Sequence, residues 1–211
     1  MNADILEEER IDLRNGCSCS IRPLRRSEEG TVREFCAGLS PRARYLRFFL
    51  RVPVLPDSLV RLLADVSDPR RLAVVAQLDS VHGGDVVALG HLAVIDDEYA
   101  ELGLVVADAW QRQGIGAALA RKLLDAGIAH GYRRFVAFGL SHNHGWQRVL
   151  HPLVEIVSTR TRLGVSEITF VRKEPAAARA RVFGGPSRAA DDLLERAYER
   201  MMAARVGTSA R

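Results

Sequence analysis

The sequence is poor in cysteine, in lysine and in long apolar runs, and each shortage excludes a class of protein or site. Its three cysteines, Cys17, Cys19 and Cys36, are an odd number without a C-x-x-C pair. This pattern argues against a disulfide framework and against a zinc site. No apolar run reaches the roughly 18 to 20 residues that a membrane helix needs. The acidic start MNADILEEER is the opposite of a signal peptide's basic region, so we expect a cytoplasmic protein without a membrane partner.

Only two of the 30 basic residues are lysine, and the net charge is +4. A modest positive charge suits nucleic acid as well as a small polyanionic ligand, so the arrangement of the charges has to decide. No basic helix with base-reading side chains stands out, which argues against a nucleic-acid partner. The arginine-rich stretch RARYLRFFLR fits a contact with an acidic substrate and equally a solvated helix face.

The length of 211 residues and the hydrophobic content of 47% predict one domain with its own core. We expect a flexible arm over residues 1–17, the domain over 18–172, a linker over 173–188, and an amphipathic helix with a tail over 189–211. The terminal helix has two interpretations, packing on its own chain or contact with a second copy in a homodimer.

Periodicity and turn residues predict the order strand, helices, three strands, helix, strand, helix, two strands. Ser27 and Ser40 are placed to cap the first two helices, and Gly131 is placed to end the long helix GIGAALARKLLDAGIAHG. Leu163 and Gly164 mark the turn between the last two strands. This order indicates an α/β fold.

Three residues separate the segment WQRQGIG from the apolar run LGLVV that precedes it. A strand–loop–helix junction offers up to four N–H groups without intrahelical partners, so phosphate binds there readily. Gly114 and Gly116 would let a diphosphate approach the main chain, and Arg112 could add a charged contact. Alternatively, the glycines only shape the turn. A dinucleotide fingerprint is disfavoured because ADAWQRQ separates the strand from the glycines, and a P-loop because no Lys-Ser or Lys-Thr follows.

The stretch AELGLVVADAWQRQGIGAALARKLLDAGIAHGYRRFVAFGLSHN resembles the core of the GNAT superfamily of N-acetyltransferases. Residues 111–116 match the family signature Q/R-x-x-G-x-G/A, and the resemblance covers residues 19–172. It implies an α+β arrangement with a mixed, mostly antiparallel central sheet of about six or seven strands, flanked by helices and splayed between the fourth and fifth strands. LSPRARYLRFF further resembles the bacterial protein-lysine acetyltransferases that modify acyl-CoA synthetases.

The resemblance implies that acetyl-CoA lies between the splayed strands and bonds to their unpaired main-chain groups. By family correspondence, Val105 and Val106 make these main-chain contacts, and Asn143 lies near the pantetheine. The alternatives are core packing for the two valines and a loop turn for Asn143. The diphosphate-binding residues implied are Gln111, Arg112, Gln113, Gly114, Ile115, Gly116 and Ala117.

The resemblance also implies a general base, because an alkylammonium with a pKa near 10.4 has no free lone pair. Glu101 matches the position where several relatives keep a base glutamate, and burial beside Leu102 would raise its pKa. The alternative is a strand-edge charge at the surface. Strand N–H groups would face the developing oxyanion.

One departure from the family pattern concerns the acid that protonates the leaving thiolate. Leu150 stands where many relatives place a tyrosine that protonates the leaving thiolate, so the acid is unassigned. His144 or His151 could substitute, or could be solvated or capping residues, and no carboxylate or cysteine completes a metal site with them. We therefore expect an acetyl-CoA-dependent N-acetyltransferase acting on a protein lysine or a small amine, without a metal. The alternative is an acyl-CoA-binding sensor that has lost its chemistry.

Overall fold

The computed structural model describes residues 6–80 and 84–173, which form one eight-stranded sheet in the order β1-β2-β3-β4-β5-β6-β8-β7. All neighbouring strands are antiparallel except the pair β5 and β6. The predicted α/β fold with a mixed, mostly antiparallel sheet is therefore confirmed. The strands are β1 Glu9–Asp12, β2 Ser18–Pro23, β3 Arg71–Leu78, β4 Val86–Val94, β5 Tyr99–Val106, β6 Arg134–Leu140, β7 Val154–Arg162 and β8 Val165–Arg172.

Helices flank the sheet on both faces. In the described part of the chain, none of them is long and apolar enough to cross a membrane. The predicted linker beyond Lys173 and the predicted helix over 189–211 lie outside the described residues. The helices are α1 Glu29–Gly38, α2 Pro41–Phe48, α3 Asp57–Ala64, α4 Ile115–Ala129 and α5 Gly145–Leu150.

The sheet separates two hydrophobic cores, because successive strand residues point to opposite faces. On one face, Leu102 of β5 packs with Leu119 and Leu123 of α4. On the other face, Val105 of β5 belongs to the core formed by α1, α2 and α3. Odd-numbered residues of β5 therefore face the three N-terminal helices, and even-numbered residues face α4.

The N-terminal segment departs from the expectation of a flexible arm over residues 1–17. Residues Glu9–Asp12 form β1 and pair with β2, while Leu6 and Leu13 are buried on either side of the strand. Arg121 of α4 donates a hydrogen bond to Glu9 at 2.5 Å. The segment reads as polar because an edge strand keeps one face in solvent. Since β1 was not among the predicted strands, the strands that the sequence predicted as the fourth and fifth are β5 and β6 of the structure.

Several local predictions are confirmed. Ser40 caps α2 by accepting a hydrogen bond from the Ala43 N–H at 3.0 Å. Leu163 and Gly164 form the β7–β8 turn with φ of 50° and 81°. Gly131 adopts a φ of 95° just after the end of α4.

The cap predicted for α1 is wrong. The helix begins at Glu29, and the residue before it is Glu28 rather than Ser27. The Glu28 carboxylate accepts hydrogen bonds from the Arg25 N–H at 2.8 Å and from the buried Arg22 guanidinium at 2.6 Å. This ion pair ties the residue before α1 to Arg22 of β2.

Candidate active site

The strands β5 and β6 part in the middle of the sheet. They pair only at Tyr99–Arg134, Ala100–Phe135 and Glu101–Val136. Beyond Glu101, β5 continues against β4 alone, and β6 continues against β8 alone. The structure therefore has the predicted splay, and Glu101 lies at its apex.

The strand register determines which main-chain groups of β5 face this opening. Ala107 N–H donates to Val87 O of β4 at 2.9 Å, and main-chain groups alternate between the two sides of a strand. The groups of Val105 therefore point to β4, whereas those of Leu104 and Val106 point to the opening. The main-chain groups of Val105, predicted to contact the coenzyme, therefore do not face the opening, whereas those of its neighbour Leu104 do. The Val105 side chain packs in the core, which is the alternative that the sequence analysis gave for this residue.

The loop between β5 and α4 presents main-chain N–H groups. Gln111 N–H bonds to Asp108 O at 3.3 Å, and Ala117 N–H bonds to Gly114 O at 3.1 Å. Between them, the N–H groups of residues 112–116 find no acceptor in the described structure. Gly114 precedes the helix with a φ of 100°, which favours glycine. Five free amides at the N-terminus of a 15-residue helix are suited to bind an anion.

Glu101 lies on the face of the sheet that carries α1, α2 and α3. Its register partners are Ala93 on β4 and Val136 on β6. Its side chain is partly buried, next to the small apolar cluster of Tyr99 and Val136. The Glu101 carboxylate thus stands where the two strands separate.

A family model, the acetyltransferase (GNAT) family, matches residues 42–151, which is just over half of the chain. The chain belongs to this family. An acetyltransferase of Pseudomonas aeruginosa is 28% identical over 134 residues, covering 62% of this chain and 71% of that protein. Membership makes the GNAT chain an acyltransferase.

Two solved structures share the fold of this GNAT chain. The GNAT domain of PAT from S. lividans has a TM-score of 0.70 and 23% identity, covering 81% of this chain and 99% of that one. The protein yncA from Salmonella typhimurium, solved with its cofactor acetyl-CoA, has a TM-score of 0.57 and 16% identity. That match covers 77% of this chain and 99% of yncA.

The side chains of the GNAT signature differ in their surroundings. Gln111 donates to Val106 O at 3.1 Å, which ties the loop to the end of β5. Arg112 is exposed, and Ile115 is buried in the core beneath the loop. A Cβ on Gly116 would meet Val149 at 3.4 Å in ordinary contact. A Cβ on Gly116 would therefore point at the protein, whereas a Cβ on Gly114 would meet no atom within 4 Å.

Residues beyond β6 have local roles in the structure. Asn143 Oδ1 accepts from the Gly145 N–H at 3.0 Å, which is the loop-turn interpretation. His144 and His151 are exposed, while Leu150 is buried. In the described ranges, no three His, Cys, Asp or Glu side chains group as a metal site. The indole of Trp146 lies over Gly139 of β6, and its buried Nε1 has no hydrogen-bond partner among the described residues.

Sequence reasoning missed a cluster beside Glu101 on the same face of the GNAT sheet. A Cβ on Gly103 would lie 1.9 Å from Nη2 of Arg47, so the guanidinium rests directly on the strand. His91, the register partner of Gly103, donates its ring N–H to Leu63 O, with the two atoms 2.7 Å apart. Desolvation lowers the pKa of His91 to about 4, which leaves the ring neutral at physiological pH. The arginine-rich stretch was the one sequence signal for this cluster.

Proposed function

We propose that this protein transfers the acetyl group of acetyl-CoA to a primary amine by direct attack, with Glu101 as general base. The observation that carries the proposal is the position of this carboxylate at the apex of the splay, on the strand whose main-chain groups face the opening and which leads into the loop with the unpaired amides. The acceptor is a protein lysine or a small molecule.

The loop amides of residues 112–116 would bind the diphosphate of acetyl-CoA. They gain from the positive end of the α4 dipole and from the exposed Arg112 beside them. The groups of Leu104 and Val106 facing the opening would bond to the pantetheine, together with the predicted contact from Asn143. Trp146 offers a further donor, because its indole N–H lacks a partner in the described structure. The loop amides and the Trp146 indole fit the ligand because they are donors without a protein partner in the described structure. The oxygens of Val106 and Asn143 each accept one hydrogen bond from the protein and can accept a second.

Glu101 would accept the proton that the acceptor ammonium must lose before its nitrogen attacks the thioester carbonyl. Strand N–H groups at the opening would stabilise the charge that develops on the carbonyl oxygen. The proton for the leaving thiolate could come from His144 or His151, both of which are exposed near the end of β6.

Replacing Glu101 by glutamine tests the base. We expect Glu101→Gln to lower kcat/KM by about 10²-fold or more, because the amide cannot accept a proton. The assay follows free CoA thiol with a panel of amines. Glu155→Gln, at an exposed position on β7, is the matched control and should keep full activity. Retained activity in Glu101→Gln would exclude it as the base.

A second candidate function is acyl-CoA sensing without catalysis. It is favoured by the buried Leu150, which stands where many relatives have a tyrosine acid. A sensor would bind CoA tightly and release no thiol with any amine. Calorimetry with CoA and the thiol assay together distinguish the two functions.

A further inference from the structure

Two arginines of α2 face the sheet near the splay. The helix lies against β5 and β6, and Arg44 and Arg47 are three residues apart on one side of it. Arg44 is only 7% exposed, although it is a charged residue. Arg42 on the same helix is exposed. The arginine-rich stretch is therefore divided between a solvated side and a buried side.

Two contacts place these arginines along β5. Ser40, at the start of α2, donates a hydrogen bond to Asp108 just beyond the end of β5, at 2.6 Å. Arg47, near the end of α2, lies on Gly103. The helix therefore runs opposite to β5, and Arg44 lies over the stretch between these two contacts, where β5 has left β6.

Neither guanidinium has a protein partner that explains its burial. In the part of the chain that the structure describes, neither donates a hydrogen bond, and no carboxylate lies within ion-pair distance of either. Arg44 Nε is buried without an acceptor. Arg47 lies on Gly103 and over the ring of its neighbour Phe48, with its Cζ 5.3 Å from the ring centroid, and neither contact supplies an acceptor. Buried guanidinium groups normally have acceptors, so the buried Arg44 and the partly buried Arg47 leave room for an anion.

The charge balance around Glu101 points the same way. Desolvation lowers the pKa of Arg47, and the charge of Glu101 partly opposes this shift. His91 adds no charge, because its pKa is about 4. The Arg47 guanidinium is thus close enough to Glu101 to interact with its charge. An acceptor with its own negative group could pair with the arginines, whereas an acceptor that carried only an ammonium group could not.

We propose that the acceptor carries a carboxylate near its reacting amine, and that Arg47 and Arg44 bind this carboxylate while Glu101 takes the proton. This inference rests on the proposed function. A guanidinium matches a carboxylate with two parallel hydrogen bonds. The carboxylate could belong to a free amino acid or to an acidic side chain beside a lysine in a peptide.

Matched acceptors test the inference. Acetylation is measured by thiol release with free L-amino acids and their amides, and with lysine peptides flanked by glutamate or by glutamine. We expect at least one acid to exceed its uncharged partner about tenfold or more in kcat/KM, as for a hydrogen bond between charged groups. Preference in the first series identifies an amino acid, and preference in the second identifies an acidic peptide. Equal rates for acids and partners in both series would overturn the inference.

Variants assign the preference to the arginines. In Arg47→Gln, the kcat/KM for an acid divided by the kcat/KM for its uncharged partner should fall toward 1, because the KM for the acid rises. Arg47→Lys should keep part of this preference. Arg42→Gln should keep the full ratio. If Arg44→Gln does not fold, the two Arg47 variants decide, because Arg47 is only partly buried. A ratio unchanged in Arg47→Gln contradicts the inference.

Two binding measurements separate the possible failures. Calorimetry with CoA alone should give the same Kd within about twofold for wild type and Arg47→Gln, whereas a tenfold loss would mean that the arginine binds the coenzyme. If no amine is acetylated, the proposed function fails. Titration of acids and amides into the CoA-bound protein then tests the anion site independently of catalysis. Tighter binding of acids that Arg47→Gln abolishes supports the site, and equal binding overturns it.

Discussion

The loop amides can be tested with two glycines that bracket α4. Gly114 and Gly131 have φ of 100° and 95°, and a Cβ on either would meet no atom within 4 Å. Alanine at each position therefore suffers the same backbone strain and no collision. This conformation costs an L-residue about 1–2 kcal/mol. We expect Gly114→Ala and Gly131→Ala to lower the free energy of unfolding by this amount, about 2–4 °C in Tm per kcal/mol.

The two variants should differ in coenzyme binding. Strain at Gly114 disturbs the N–H groups of residues 112–116, whereas strain at Gly131 lies at the other end of the helix. We expect CoA to bind about tenfold more weakly to Gly114→Ala, which corresponds to about 1.4 kcal/mol. At a CoA concentration about 100 times the wild-type Kd, bound CoA should stabilise wild type and Gly131→Ala by about 2.7 kcal/mol, but Gly114→Ala by only about 1.4 kcal/mol.

Thermal unfolding with and without CoA measures both quantities, and calorimetry gives the Kd directly. If Gly131→Ala loses as much CoA affinity as Gly114→Ala, the loss reflects general destabilisation. If Gly114→Ala binds CoA like wild type, the loop amides do not hold the coenzyme, and the reasoning behind the site is refuted.

Two other substitutions test the fold and the acceptor side. Glu28→Gln should lower the free energy of unfolding at pH 7 by about 1–3 kcal/mol, because it removes the negative charge from a partly buried ion pair with Arg22. Burial raises the pKa of Glu28, but hydrogen bonding to Arg22 opposes this rise, and the pKa stays below its usual value. This stabilisation is therefore present above pH about 4.3 and lost as the pH falls through the folded-state pKa. Urea unfolding from pH 7 to pH 3 should show the difference from wild type shrinking, and a constant difference would contradict the assignment. Gly103→Ala should displace the Arg47 guanidinium while changing the free energy of unfolding by less than about 1 kcal/mol, since alanine also removes the entropic cost of glycine in a strand. In the thiol assay, the preference of this variant for acids over uncharged acceptors, measured as kcat/KM, should fall. An unchanged preference would show that the glycine does not position the arginine.

Short-range patterns in the sequence were sufficient for several elements. The helix α4 with Gly131 after it, the cap at Ser40 and the turn at Leu163 and Gly164 depend on residues within a few positions of one another. The strand–loop–helix junction with Gly114 belongs to the same class. These signals survive folding because caps, turns and positive φ angles are properties of local backbone geometry.

Only the tertiary structure decided the chemistry on either side of Glu101. Whether Val105 or Leu104 offers main-chain groups to the opening depends on the register with β4, which no local pattern contains. The contact of Arg47 with Gly103 and the neutral His91 arise where distant segments pack together. Burial and long-range contacts set the charge that an acceptor meets, because desolvation and pairing depend on the surrounding fold rather than on the residue itself.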